Sequence, residues 1–219
     1  MTVRIGTVHA LMASVAPIEA AFAQTWPEAE VLSVCDQSLY ADYARWGRET
    51  TEITRRVTAL LEYSAGTGAD GILFCGSLFS ESVLEARSRM SIPVLTAYEA
   101  MIEAAFAVGT RLGLLATVSD TITALERDTR RYADEKGLSF TLESRHVTGA
   151  MDALSAGDRP RHDALVAEAA AELEDCQGLM LAQHSMGPAR RLIKGVPGRQ
   201  VLTSPDTAAS KLKRLVVEG

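Results

Sequence analysis

Eight short apolar runs, separated by segments of helical periodicity, constrain the fold of this chain more than any other feature of its sequence. They cover residues 3–8, 30–34, 71–75, 93–96, 111–117, 139–143, 178–183 and 200–203. Two of them, Ile72-Leu73-Phe74 and Leu179-Met180-Leu181, are apolar on both faces, which suits strands of a parallel sheet covered on both sides. Helix signals fill the gaps. Ser82 and Glu85 have capping-box spacing, within a helix expected to begin near Ser80. Ser204-Pro205 reads as an N-cap followed by a first-turn proline. Gly109 and Gly137 each close a helical pattern just ahead of a strand, as left-handed C′ residues do. The most polar stretch, residues 155–162, reads as a surface loop. Strand and helix alternating through short links imply βαβ units with right-handed crossovers, and so an α/β fold.

The alternation carries a faint internal repeat. Gly6-Thr7-Val8-His9 opens the first half, and Gly113-Leu114-Leu115-Ala116-Thr117 opens a similar unit about halfway along. The segment from Asp70 to Ser77 resembles that from Gln177 to Ser185. Each begins with a polar residue and Gly, runs on as an apolar strand, and ends in small and reactive residues before a helix. The 219 residues are enough for one large domain or two small ones. Two halves of four strands each give two equivalent strand tips. Open α/β sheets bind ligands beyond the carboxyl ends of their strands, so both tips are candidate sites.

Charge and cysteine usage narrow the function. The net charge is −6, and the densest basic group, Arg190, Arg191 and Lys194, reads as one solvated helix face, so no nucleic-acid partner is expected. No run approaches the roughly 20 apolar residues of a membrane span, and the opening MTVRIGTVHA lacks the shape of a secretory signal. The cysteines, Cys35, Cys75 and Cys176, are odd in number and widely spaced, with neither a CxxC pair nor zinc-type spacing. Free thiols in a reducing cytoplasm, and no metal, are the expectation. No glycine-rich dinucleotide fingerprint follows the first strand and no P-loop occurs, which argues against nicotinamide or nucleotide chemistry.

Cys75 is the sharpest chemical candidate. It ends an apolar strand, and Gly76-Ser77 follow before a helix. Backbone N–H groups of such a turn can bind an oxyanion and lower a thiol pKa. The competing reading is a buried, inert cysteine. His184 ends the matching strand of the second half, followed by Ser185 and Met186, with Gly187-Pro188 opening a helix. An imidazole there is a natural proton carrier, although a lone His at a strand end is more often structural. Thr117, Ser119 and Thr121 surround a helix start and could hold a carboxylate, with N-capping by Ser119 as the plainer role. His9 ends the first strand and either lines the cleft or covers the sheet end. Asp36 and Ser38 suit an Asx-type turn or a cleft wall. Cys35 and Cys176 read as structural, and His146 and His162 have no constellation around them.

The Cys75-Gly76-Ser77 tip, the LLATVSDT segment from Leu114 to Thr121, and the LAQHSM tip from Leu181 to Met186 together resemble the aspartate/glutamate/hydantoin racemase superfamily, which also contains maleate isomerases and arylmalonate decarboxylases. The likeness spans essentially the whole chain. It implies two Rossmann-like domains with four-stranded parallel sheets, related by a pseudo-twofold axis. The first would comprise residues 1–97 with 204–219 and the second 98–203. It also implies a small carboxylate substrate held between the domains and no cofactor. In the family's racemases one cysteine lies on each side of the substrate α-carbon. Here the first matches Cys75, while Gln183 stands at the second position when Met186 is aligned with the family motif, and Ala182 when counting from Gly178. Neither is a thiol.

Three functions follow. The leading one is proton transfer at a carbon next to a carboxylate, racemase- or epimerase-like, with Cys75 as base or nucleophile and His184 as the opposing acid. Gly76, Ser77, Thr117, Ser119 and Ser185 would bind carboxylate oxygens, with His9, Thr121 and Gln183 also at the site. The second is a one-thiol decarboxylation or cis–trans isomerisation of a small dicarboxylate, with Leu78, Phe79 and Met186 lining an apolar pocket. The third is a non-catalytic carboxylate-binding protein. A homo-oligomer is compatible with the sequence, but no interface stripe is distinguishable from core.

Overall fold

The computed structural model describes residues 2–218. These fall into two compact units, one ending at Ala100 and resuming at Pro205, the other running Met101–Ser204. Each is an all-parallel four-stranded sheet with flanking helices, so the α/β expectation is met.

In the first unit the elements are β1 (Arg4–His9), α1 (Val15–Thr25), β2 (Glu30–Cys35), α2 (Ser38–Trp46), α3 (Thr51–Gly66), β3 (Gly71–Cys75), α4 (Ser80–Arg87) and β4 (Val94–Leu95). The sheet order is β2-β1-β3-β4. Every residue of β3 is buried, as its unbroken apolar run demands of a strand covered on both faces. One face carries Ile5, Leu73 and Cys75 against Ile18 and Phe22 of α1 and Ala208, Ala209 and Leu212 of the last helix, α9 (Ser204–Val217). The other face packs on α3: a Cβ on Gly6 would stand 2.0 Å from Ser64 Oγ. β4 is short because its ladder to β3 covers only Val94 and Leu95. Pro93, without an N–H, still accepts from Ile72 N at 2.8 Å.

The second unit repeats the plan, with α5 (Glu99–Val108) leading into it, then β5 (Arg111–Ala116), α6 (Ser119–Lys136), β6 (Thr141–His146), α7 (Ala150–Ser155), α8 (Arg159–Ala171), β7 (Gly178–Leu181), a 3₁₀ segment (His184–Arg191) and β8 (Gln200–Thr203). Its order, β6-β5-β7-β8, is the first sheet's order again. Leu115, Leu179 and Leu181 pack against Val166, Ala170, Met186 and Ala189.

The structure corrects several local readings. The sixth strand is Thr141–His146 rather than 139–143, because it is an edge strand with alternating exposure and no apolar run to mark its ends. Helix α4 begins at Ser80, and Ser82, instead of forming a capping box with Glu85, donates from its N–H and hydroxyl to Glu49 Oε2. Gly137 is left-handed, with φ 64°. Gly109 is not: it is small because a Cβ there would sit 2.3 Å from the Gln177 side chain. Residues 155–162 are not one loop, since α7 ends at Ser155 and α8 starts at Arg159, capped by Asp158.

Candidate active site

The carboxyl ends of the two sheets collect the reactive side chains, each within its own unit. In the first unit β1 lies between β2 and β3, and His9 is in register with Cys35 on one side and Cys75 on the other. Cys75 is buried, and its Sγ lies 3.9 Å from the carbonyl of Leu73. Burial pushes its thiol far above the usual range. His9 is fully buried; its Nδ1 lies 2.6 Å from Ser14 Oγ, and Nε2 has no partner. Desolvation lowers its pKa to about 4, so the ring is neutral at pH 7.

Gly76 follows Cys75 where no side chain fits: a Cβ would meet Phe74 at 2.7 Å and Phe79 at 2.9 Å. The Ser77 N–H, expected to be open for a substrate oxygen, instead donates to Tyr40 Oη at 3.0 Å, and the two hydroxyls lie 2.8 Å apart. Tyr40 packs edge-on against Phe79. Its phenol pKa is raised by burial, with the neighbouring Cys75 adding to the effect. Nothing in the sequence pattern marked Tyr40; it arrives from α2 only through folding. Asp36 and Ser38 do form an Asx turn, the Ser38 N–H donating to Asp36 Oδ1 at 3.0 Å. Arg56 of α3 reaches that turn, binding Asp36 at 2.6 Å and Asp42 at 2.5 Å.

In the second unit β7 ends at Leu181, two residues short of the expected 183. Ala182 N still donates to Leu115 O at 2.9 Å, and there the backbone ladder stops. The next rung is made by a side chain: Gln183 Oε1 accepts the Thr117 N–H at 2.8 Å. That bond fixes the amide and leaves Gln183 Nε2 buried without a partner, as is the nearby Thr117 Oγ1. His184 and Ser185 therefore lie not on the strand but on the first turn of the 3₁₀ segment, half-buried. Arg159 of α8 holds that turn by donating to the Ser185 carbonyl at 2.7 Å. Ser119 is exposed and is the first helical residue of α6; the N-cap is Val118, so Ser119 does not cap. Thr121 is buried in the first turn.

Two histidines read as isolated have partners. His146 Nε2 is 3.2 Å from the Thr117 carbonyl, and His162 Nδ1 lies 2.7 Å from Asp163 Oδ1 in the core. Cys176 precedes β7, at the amino end of the sheet, where its Sγ contacts the Leu173 carbonyl at 3.0 Å. It lies at the wrong end of the strand to act as a second thiol. Among the described residues no group of three or more His, Cys, Asp or Glu could hold a metal ion, and no helix is long and apolar enough to cross a membrane.

A family model described as Asp/Glu/hydantoin racemase matches residues 12–212. The chain belongs to the Asp/Glu/hydantoin racemase family. Solved structures of the same fold include racemases and a decarboxylase. An aspartate racemase homologue from Pyrococcus horikoshii is 17% identical, with 99% of this chain and 100% of that one covered and a TM-score of 0.74. Allantoin racemase from Klebsiella pneumoniae is 20% identical over 99% of this chain and 89% of that one, with a TM-score of 0.68. Unliganded arylmalonate decarboxylase is 18% identical over 100% of this chain and 94% of that one, with a TM-score of 0.65. No curated protein sequence matches the chain. The first unit of this family chain carries a cysteine at a strand tip, and the second carries an amide just beyond the corresponding strand.

Proposed function

We propose that this racemase-family enzyme acts at the carbon next to a carboxylate, with Cys75 as its thiol and the Gln183–Thr117 pair as its carboxylate anchor. The observation that carries the reading is the orphaned donor pair. Buried polar atoms are normally satisfied, yet Gln183 Nε2 and Thr117 Oγ1 are both buried and unpartnered at the carboxyl end of a parallel sheet. An amide N–H and a hydroxyl are donors suited to the oxygens of an anion. The amino end of α6, two residues on, adds the favourable end of an 18-residue helix dipole. Exposed Ser119 and buried Thr121 lie on that first turn. His184 is the second acid–base group of the proposal, for it stands next to Gln183 on a turn fixed by Arg159.

A one-thiol reaction is the second reading, and one observation favours it. Gln183 cannot carry a proton, and its amide is already committed to Thr117. Protonation on a single face, as in decarboxylation of a malonate, needs only Cys75. Solvent deuterium exchange at the α-carbon of amino acids and hydantoins, run beside carbon dioxide release from aryl and alkyl malonates, separates the two. Exchange that is lost in both Cys75→Ala and His184→Ala supports proton transfer between two groups. Carbon dioxide release lost in Cys75→Ala but kept in His184→Ala supports the one-thiol reaction. Neither activity in the wild-type chain refutes both.

A further inference from the structure

We infer that His9 is the proton acceptor of the Cys75 thiol, fixed in the required tautomer by Ser14; the inference rests on the reading of Cys75 as the reactive thiol. Ser14 has one hydroxyl proton and gives it to the Leu11 carbonyl at 2.7 Å. At its 2.6 Å contact with His9 Nδ1 it can then only accept, so Nδ1 bears the ring proton. Nε2 is left as a lone pair, fully buried and without a partner. A buried acceptor left unmatched costs stability and calls for a donor.

The fold supplies two candidates. Residues paired across parallel strands point to the same face, and such strands run about 4.8 Å apart. His9 is paired with Cys35 and with Cys75. Cys35 is partly exposed and sits beside the Asp36 carboxylate, which opposes a thiolate. Cys75 is buried, and its thiol makes a weak hydrogen bond to Leu73 O at 3.9 Å. Two other elements pack on this face, and α9 carries a carboxylate, Asp206, in its first turn. Glu19 of α1 is engaged by Ser33 at 3.1 Å, and α9 contributes Ala208, Ala209 and Leu212. In the proposed step Cys75 Sγ turns from the Leu73 carbonyl to Nε2 by rotation about its Cα–Cβ bond.

In the step itself the S–H bond breaks, an N–H bond forms at Nε2, and the electron pair stays on sulfur. The products are a thiolate and an imidazolium protonated at both nitrogens, with no change in net charge. Burial disfavours either ion alone, but a paired ion is compensated. The neutral pair is the resting state.

The test is the rate of alkylation of Cys75 by iodoacetamide in the full chain, read by mass spectrometry of the Cys75 peptide between pH 5.5 and 8.5. An unaided thiol reacts through its thiolate, so its rate rises tenfold per pH unit below its pKa. With His9 as acceptor the wild-type rate changes less than about threefold between pH 6 and 8. His9→Gln restores the tenfold slope and lowers the rate at pH 7 by at least about tenfold. Ser14→Ala keeps the imidazole but releases its tautomer, and lowers the plateau at least about twofold. A wild-type slope of tenfold per unit overturns the proposal, as does a His9→Gln profile that superimposes on wild type. Should His9→Gln fail to fold, the wild-type slope and Ser14→Ala decide. The probe needs no substrate. A flat alkylation profile without substrate turnover would therefore count against the proposed function alone, and a steep one with Cys75-dependent turnover against the His9 assignment alone.

Discussion

Replacing Gln183 tests two roles, because one end of the amide holds the backbone and the other is proposed to hold the substrate. In Gln183→Glu a carboxylate oxygen still accepts the Thr117 N–H now bound at 2.8 Å, but the other oxygen takes the buried, unpartnered place of Nε2, which costs about 1–3 kcal/mol. The donors of Nε2 are lost, and a negative charge takes their place. One hydrogen bond to a charged group contributes about 1.5–3 kcal/mol, which is roughly 10- to 150-fold in Kd before any repulsion is counted. In Gln183→Leu the Thr117 N–H loses its acceptor altogether. That costs about 1–3 kcal/mol, and at roughly 2–4 °C per kcal/mol for a chain of this size Tm falls by about 2–12 °C. Calorimetric titration with glutamate and phenylmalonate, beside thermal unfolding followed by circular dichroism, reads both quantities. The expected pattern is weak binding with a lowered Tm for both variants, the Tm of the Glu variant recovering as pH falls and its carboxyl group is protonated. A Glu variant that binds as wild type, or a Leu variant that unfolds as wild type, refutes the reasoning.

Four further outcomes are expected. Thr117→Val removes a buried hydroxyl that has no partner, so thermal unfolding will show stability unchanged or raised, while titration shows carboxylate binding weakened by roughly tenfold. His9, with a pKa lowered to about 4 by burial against about 6.5 in an unfolded chain, binds more protons unfolded than folded between those values. Its neutral burial therefore favours the fold fully above pH 6.5 and progressively less as pH falls towards 4, by about 3 kcal/mol in all; urea unfolding at pH 7 and 4.5 will show this dependence in wild type and lose it in His9→Gln. Gly178→Ala would set a Cβ 3.2 Å from both Cα and O of Ala105, forcing α5 off the sheet at about 1–3 kcal/mol. Gly187→Ala, with nothing within 4 Å, should instead leave Tm unchanged or raise it.

The first sheet's reactive edge was largely legible because its signal is local. Cys75 ends a run with no polar residue in it, and such a run ends where the sheet ends. The limits of β6 and the partner of Ser82 were not legible, since an edge strand has one open side and a serine in a first helical turn can be satisfied by a distant group, here Glu49. The roles of Tyr40 and Gln183 were hidden for a related reason. Tyr40 meets Ser77 across 37 positions and Gln183 meets Thr117 across 66, separations over which no short motif carries information. His162 and His146 looked isolated because their partners, Asp163 by orientation and Thr117 by its backbone, leave no pattern of residue types.

The sequence by itself determined the alternation of strand and helix, the parallel character of the sheets and the strand tip that carries Cys75, because periodicity and continuous apolarity are properties of neighbours along the chain. Only the tertiary structure decided which of those tips' groups are occupied. It committed the Ser77 N–H to Tyr40 and the Gln183 side-chain carbonyl to the Thr117 N–H, and it set His9 Nδ1 against the Ser14 hydroxyl. A buried donor or acceptor takes the partner that lies within about 3 Å, and that distance is set by the packing of elements remote in sequence.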